Sequence, residues 1–186
     1  LNNDIINNDE LVKDITDEII SNMDNQVTIP KADGVIYMQK VFIVHGRNEV
    51  VEIDVARFLE QMGISPIILH EQASQGKTII EKIEEYSNVG YGIVLYTPCD
   101  KGGLADCEYS KLKPRARQNV VFEHGYLIGK LGRNRVCALM KDDVESPNDI
   151  SGILYIKYQN NNDAWKLELA KELKQAGYNI DLNKLC

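Results

Sequence analysis

Short apolar runs alternate with amphipathic stretches along the chain from Lys40 onward. The runs are rich in β-branched residues, a pattern typical of buried parallel strands, whereas the stretches between them repeat apolar residues at helical spacing. The predicted strands are Val41–Val44, Pro66–Leu69, Gly92–Tyr96, Arg135–Met140 and Ile153–Tyr158. The predicted helices are Glu49–Met62, Lys77–Ser87, Asn119–Leu131 and Trp165–Ala176, with Asn119 as the N-cap of the third and a long polar loop, Cys99–Gln118, before it.

This alternation of strands and helices predicts an α/β protein in which helices cover both faces of a parallel sheet. Five strands with right-handed crossovers fit a flavodoxin-like, three-layer α/β/α fold with strand order 2-1-3-4-5. The first and third strands are then neighbours at the switch point of the sheet. Ligands in such folds bind beyond the carboxyl ends of the strands at that point.

The N-terminal region differs in composition from the rest of the chain. Residues 1–35 are rich in Asn and Asp, and the apolar spacing predicts a helix over Glu10–Met23. We interpret residues 1–35 as a linker or helical extension and residues 36–186 as the folded domain. The alternatives are an extension that packs on the domain and the tail of another domain. Because the chain begins with Leu1 rather than Met, we expect it to be a piece of a longer protein.

Composition and charge exclude several classes of protein. Hydrophobic residues make up 44% of the chain and charged residues 26%, as in ordinary globular proteins. The net charge of -7 argues against a partner that is a nucleic-acid polymer. We expect a cytoplasmic protein without a membrane span, because the sequence has no long apolar run and an acidic, polar N-terminus. The four cysteines show no zinc-like spacing, so we predict no metal site.

One carboxylate, Glu123, interrupts an apolar run and is the main candidate for chemistry. Residues three and four positions apart share a helix face, so Glu123 lies beside Asn119 and Tyr126. A carboxylate in apolar surroundings must find hydrogen bonds or hold its proton, unless it faces a cleft. The alternative is a solvated helix face. The same crevice would receive the strand tips, His45-Gly46-Arg47 after the first strand and Thr97 to Asp100 after the third.

Three segments in this order resemble the bacterial TIR-like domain family: KVFIVHGRNE, SPIILHEQASQGKTIIEKIEEYSNVGYGIVLYTP and ARQNVVFEHGYLIGKLGRNRVCAL. This family includes the TIR effector domains of cyclic-nucleotide-activated antiphage systems of the CBASS and Pycsar type, among them TIR-STING fusions. The resemblance covers roughly Lys40 to Leu185. The family's catalytic glutamate lies in an FE-x-G motif, which here is Phe122-Glu123-His124-Gly125. The position after that glutamate is commonly apolar in the family, and here it is His124.

The resemblance implies cleavage of NAD+ at the nicotinamide–ribose bond, giving nicotinamide and ADP-ribose or a cyclised form. NAD+ is then the substrate and no cofactor is needed. The catalytic residue would be Glu123, and the substrate-binding candidates are His45, Gly46, Arg47, Gly76, Lys77, Thr97, Asp100, Arg117, Asn119 and Tyr126. Backbone donors at Gly46, Arg47 and the Gly76–Thr78 turn suit a pyrophosphate, because helices begin nearby.

Several of these candidates have ordinary alternatives. His45 also suits a core or capping role, and Asp100 and Tyr126 suit loop and helix roles. The basic run Lys111, Lys113, Arg115 and Arg117 also fits a solvated loop, and within it Arg117 is the candidate ligand. QGKT does not match a P-loop, so ATP hydrolysis has little support.

The resemblance also implies partners. We expect self-association, with residues 71–76 and 99–118 as candidate loops, and a sensor domain for a cyclic nucleotide in the full-length protein. Two other functions stay open. A non-enzymatic TIR signalling or assembly module has no need of Glu123, and a nucleoside deoxyribosyltransferase-like enzyme uses a glutamate nucleophile but needs no pyrophosphate donors.

Overall fold

The computed structural model describes residues 39–72, 76–147, 152–160 and 162–185. Seven strands and four α-helices succeed one another along this part of the chain. The strands are β1 Lys40–Val44, β2 Ser65–Ile68, β3 Tyr91–Tyr96, β4 Asp100–Gly102, β5 Lys113–Arg115, β6 Val136–Lys141 and β7 Leu154–Tyr158. The helices are α1 Glu49–Gln61, α2 Ile79–Tyr86, α3 Gln118–Leu131 and α4 Ala164–Gln175.

The main sheet contains five parallel strands in the order β2-β1-β3-β6-β7. Numbered among themselves, these strands have the order 2-1-3-4-5, so the predicted flavodoxin-like α/β/α class is confirmed. In β1, Ile43 is paired with Ile68 of β2 on one side and with Ile93 of β3 on the other. The chain reverses its direction of winding at β1, and this creates the crevice in which the candidate residues lie.

Alternate residues of the strands face opposite helix layers, as the two-residue repeat of a strand requires. Val41 and Ile43 join a core cluster with α1 and α4, where Val55 and Leu169 are completely buried. Phe42 and Val44 join a second cluster, which packs against α3 and the end of α2. The sheet is therefore buried on both faces, which explains the unbroken apolar runs in its strands.

The region before α3 differs from the prediction. The loop predicted over Cys99–Gln118 contains a two-stranded antiparallel ribbon, in which Asp100 is paired with Arg115 and Gly102 with Lys113. The predicted cap at Asn119 is wrong, because α3 begins at Gln118 and the capping position is Arg117, whose side chain makes no capping hydrogen bond.

Helix α2 is shorter than the predicted Lys77–Ser87 and spans Ile79–Tyr86. The side chains of Ile79 and Ile80 are exposed, whereas Ile83 is buried.

The predicted helix over residues 10–23 and the predicted boundary between residues 35 and 36 lie outside the described residues. Within the described ranges, no helix is both long enough and apolar enough to cross a membrane.

Candidate active site

Helix α3 presents neighbouring residues to two different environments. Val120, His124 and Leu127 are fully buried against the sheet. They are spaced four and three residues apart and form one face of the helix. Glu123 precedes His124 by one position, so it projects from the side of this face. Its side chain lines a cleft beside the carboxyl end of β1.

The cleft has a volume of about 220 Å³ and collects residues from both sides of the switch point. His45 and Gly46 come from the tip of β1, Arg117 and Asn119 from the start of α3, and Glu123 from its second turn. These five are among the residues predicted from the sequence. The remaining lining residues are Ile43, Leu69, Ile79, Lys82 and Val120.

Glu123 is a half-buried carboxylate in a largely apolar setting. Among the described residues, no group donates a hydrogen bond to it or forms an ion pair with it. Burial raises the pKa of Glu123 to about 7, well above its usual range. Such a group suits a ligand that supplies hydroxyl donors or a positive charge to the carboxylate.

His124 lies on the sheet-facing side of α3, about 100° around the helix axis from Glu123. Its side chain is 0% exposed, and Nδ1 is 2.9 Å from the hydroxyl oxygen of Tyr96 on β3. Burial lowers the pKa of His124 to about 4, so the ring is neutral at physiological pH. Its role is therefore to pack α3 against the sheet, and it does not line the cleft.

His45 is held in place by acceptors on one side of its ring. Its Nδ1 lies 2.8 Å from Oε2 of Glu52 on α1 and 2.9 Å from the carbonyl oxygen of Gly46. Because both neighbouring atoms are acceptors, Nδ1 is the ring nitrogen that carries a proton. Glu52 is 5% exposed, so this contact fixes His45 at the cleft wall from inside the domain.

The other predicted residues at the strand tips stand behind or beside the cleft. Thr97 is buried, and its Oγ1 is 3.1 Å from Sγ of Cys99. A Cβ atom at Gly46 would lie 2.7 Å from that sulfur, so only glycine allows the β1 tip to pack this closely. Arg47 is exposed and lines a neighbouring depression with Cys99, and Asp100 is exposed on β4.

The predicted residues near α2 and in the third turn of α3 also lie outside the cleft lining. Gly76 is an exposed turn residue with a φ of 77°. Nζ of Lys77 is 2.6 Å from Oε2 of Glu85, on the outside of the helix. Tyr126 is half-buried against the second core cluster, with Nζ of Lys130 5.8 Å from the centre of its ring.

The basic run before α3 divides into structural and cleft residues. Arg115 forms an ion pair with Glu145, and Nζ of Lys111 is 3.5 Å from Glu108. Arg117, the residue of this run that was predicted to bind the substrate, lines the cleft. The solvated interpretation therefore fits Lys111, whereas the cleft interpretation fits Arg117.

Sequence reasoning missed one charged residue of the cleft, Lys82 on α2. It is only 7% exposed, and its Nζ donates a hydrogen bond to the carbonyl oxygen of Gln72 at 2.7 Å. The sequence held a signal: Lys82 stands next to Ile83, which is buried, so it is a cation at the edge of the apolar side of α2. Because lysines are mostly exposed in proteins, this position was not predicted to be buried.

The residues described by the structure contain no group of three or more metal-ligating side chains. What they form is an open cleft at the switch point of a parallel sheet, with a half-buried glutamate, a histidine and two cations. This arrangement defines a class of flavodoxin-like α/β domains with a small-ligand site at the carboxyl edge of the sheet.

The comparison with protein families gives the particular family. The profile described as "CAP12/Pycsar effector protein, TIR domain" matches residues 40–160, which include β1 to β7 and every residue of the cleft. This chain belongs to that family of TIR domains, as the resemblance of its motifs indicated.

Curated relatives extend the same result. The chain is 44% identical over 147 residues to "Uncharacterized protein YuaY" of Escherichia coli (strain K12), covering 78% of this chain and 48% of that protein. It is 43% identical over 129 residues to "Protein tirC" of Dictyostelium discoideum, covering 64% of each chain. It is also 25% identical over 112 residues to "CD-NTase-associated protein 12" of Lachnospiraceae bacterium (strain RUG226), covering 55% of this chain and 34% of that protein. The chain thus spans only part of the length of the curated relatives it matches.

Proposed function

We propose that this domain is an NAD+ glycohydrolase, which cleaves the nicotinamide–ribose bond and releases nicotinamide and ADP-ribose or its cyclic form. The observation that carries this proposal is Glu123, a half-buried carboxylate in the cleft, whose pKa is raised to about 7 by burial. A signalling module without catalysis gains nothing from the cost of burying such a group. Membership of the effector family supports the same activity.

The reaction needs one carboxylate, not a pair. When the C1′–N bond of NAD+ breaks, its electron pair goes to the nicotinamide nitrogen, which loses its positive charge, and the ribose becomes an oxocarbenium-like cation. Ionised Glu123 would stabilise that cation and accept hydrogen bonds from the ribose hydroxyls. Water then adds to C1′ and releases a proton, giving ADP-ribose. If an adenine nitrogen adds instead, the product is cyclic.

The rest of the cleft would orient the substrate. His45 would form the wall beside the ribose, and its ring is held there by the contact with Glu52 and the hydrogen bond to the carbonyl oxygen of Gly46. Asn119 supplies an amide at the rim, and Arg117 supplies a cation for the phosphates. Correct placement of these groups lowers the barrier by aligning the bond that breaks with the carboxylate.

The size of the cleft supports activation by self-association. Its volume of about 220 Å³ lies below the range of about 300–1,000 Å³ that is common for ligand pockets. We therefore propose that a neighbouring copy of the domain completes the substrate pocket. For the full-length protein we propose a cytoplasmic antiphage effector in which a sensor domain binds a cyclic nucleotide and brings the TIR domains together.

The decisive experiment measures nicotinamide release from NAD+ at high protein concentration with a crowding agent. Wild type, Glu123→Gln and Glu168→Gln should be compared, since Glu168 is an exposed carboxylate on α4 and serves as the matched control. We expect release by the wild type and the control and a loss of about a hundredfold or more in Glu123→Gln. Specific activity should also rise with protein concentration, because assembly completes the pocket.

The other outcomes would replace the proposal. Equal release by all three proteins would move the catalytic group away from Glu123. Cleavage of deoxynucleosides but not of NAD+ would favour the deoxyribosyltransferase-like alternative. Absence of release from the chain and from an activated full-length protein would favour a non-enzymatic assembly module.

A further inference from the structure

Lys82 is a buried cation at the wall of the cleft, and the proposed chemistry at Glu123 does not use it. It is 7% exposed and lines the same cleft as Glu123 and Arg117. An ammonium group has three donors. One of these reaches the carbonyl oxygen of Gln72 at 2.7 Å. Over residues 39–72, 76–147, 152–160 and 162–185, no carboxylate lies within ion-pair distance of Lys82.

Two other lysines near α2 and α3, Lys77 and Lys130, form contacts with protein groups that account for their positions. Lys77 forms an ion pair with Glu85 at 2.6 Å. Lys130 donates to Oγ of Ser87 at 2.8 Å and to the carbonyl oxygen of Glu84 at 2.9 Å. Lys82 is more deeply buried than an ordinary surface lysine and has fewer partners than Lys130. Burying an ammonium ion without a counter-charge is costly, and an anionic ligand in the cleft would offset this cost.

The carboxylate of Glu123 does not serve as that counter-charge. Within the part of the chain that the structure describes, Glu123 and Lys82 do not approach within ion-pair distance of each other. The cleft therefore has an anionic region at Glu123 and a separate cationic region at Lys82. A ligand that matches both regions carries a positive or proton-donating group at one end and a compact negative group at the other.

The sequence suggested the turn before α2 as the phosphate-binding element. In the structure, backbone donors of this turn already form hydrogen bonds that cap the helix. The backbone N–H of Thr78 donates to Oε2 of Glu81 at 2.7 Å, and Thr78 Oγ1 accepts from the N–H of Glu81. This capping box satisfies donors that a phosphate would otherwise use. The cation that α2 offers to an anion in the cleft is thus Lys82, one turn further along this helix.

We propose that Lys82 is the anion-binding residue of this cleft and that its ligand is the diphosphate of a dinucleotide, with Arg117 as the second cation. This inference rests on the proposed function and deepens it, because it makes the diphosphate a requirement for substrate recognition. A free nucleoside lacks the group that Lys82 binds. Lys82 is a substrate-binding residue, and the chemical step remains with Glu123.

The test is a calorimetric titration of the chain with ADP-ribose, adenosine and inorganic phosphate. The variants are Lys82→Gln, which removes the charge but keeps a polar amide, and Lys82→Arg, which keeps the charge. The matched control is Lys171→Met, at an exposed lysine on α4 in the other helix layer. Thermal melting of each variant establishes that it is folded.

Lys82→Gln should bind ADP-ribose about tenfold or more weakly than the wild type, since one charge-assisted hydrogen bond is lost. Lys82→Arg should stay within about threefold of the wild type, because the positive charge remains. Adenosine affinity should be the same in all four proteins.

Three results would overturn the inference. They are unchanged ADP-ribose affinity in Lys82→Gln, an equal loss for adenosine, and no measurable binding of ADP-ribose by the wild type. Inorganic phosphate that binds as tightly as ADP-ribose, with the same loss in Lys82→Gln, would overturn the assignment of a dinucleotide in favour of a free-phosphate site. If ADP-ribose binding depends on Lys82 but nicotinamide is not released, the proposed function fails and this inference stands.

Discussion

The two faces of the sheet are packed in different ways. On the face covered by α1 and α4, Trp165 is 1% exposed, and its ring centre lies 5.4 Å from that of Phe58 and 5.4 Å from that of Tyr158. On the face covered by α2 and α3, the same sheet meets a buried histidine and a buried lysine, and a half-buried glutamate stands at the edge. The first face is closed mainly by apolar packing, with the buried carboxylate of Glu52 at its edge beside His45, whereas the second combines packing with charge in the helices that form the cleft.

This difference indicates that the α1/α4 layer and the α2/α3 layer have different roles. Apolar burial contributes stability without constraining chemistry. Buried titratable groups cost stability unless they are paired, and they persist where a function uses them. We therefore expect substitutions in the α1/α4 layer to act mainly on folding. Substitutions in the α2/α3 layer should act on pH response, ligand binding or catalysis.

The largest effect on stability is expected from Trp165→Ala. This change removes the largest fully buried side chain and leaves a cavity between α4 and the sheet, which should lower the free energy of unfolding by about 3–5 kcal/mol. Urea unfolding measures the loss. Leu167→Ala on the same helix is the control, because Leu167 is 43% exposed and its truncation should cost far less. Equal losses in the two variants would contradict the assignment of stability to this layer.

A smaller effect is expected from breaking the contact between His124 and Tyr96. In His124→Leu the hydroxyl of Tyr96 loses its buried partner, which should cost about 1–3 kcal/mol. The double variant His124→Leu/Tyr96→Phe removes both polar groups and should cost less than the sum of the single changes. Chemical unfolding of the four proteins gives this cycle. Strict additivity would mean that the contact does not hold α3 against the sheet.

The difference between the two faces also explains which features of the structure could be predicted from the sequence. The five parallel strands were predicted closely, since apolar β-branched runs have few alternatives: β1 was predicted at Val41–Val44 and spans Lys40–Val44. Glu123 was found because a carboxylate in an apolar run is conspicuous. The ribbon of β4 and β5 was missed, because three-residue strands with Gly and Pro resemble loops and are formed by pairing with distant residues.

Two misses on the polar face have a common cause. His124 stands four residues after Val120 and three before Leu127, so helical spacing already assigned it to the buried stripe. Lys82 likewise adjoins the buried Ile83. Both were overlooked because polarity predicts exposure for most residues. The contacts with Tyr96 and Gln72 that make their burial tolerable come from other elements, and their positions require the folded structure.

The smallest effect concerns the pH dependence of stability in Glu123→Gln. Burial holds the pKa of Glu123 at about 7 in the folded protein, against 4.5 as its ordinary value. Between these values the folded state binds more protons than the unfolded state. The contribution of Glu123 to stability is therefore fully present below pH 4.5 and is lost as pH rises through 7. Above that pH the wild type bears the cost of a buried charge, which the glutamine variant avoids.

We therefore expect Glu123→Gln to be more stable than the wild type by about 1–2 kcal/mol at pH 8, a figure reduced by solvent screening of the half-buried group. The two proteins should differ little at pH 4.5. His124 titrates in both, so its opposite dependence cancels from the difference. Melting curves across this range measure the effect, with Glu168→Gln as the control on the other face. A stability difference that does not change with pH would mean that Glu123 is ionised at little cost, and the cleft would then lack the carboxylate environment from which the proposed catalysis follows.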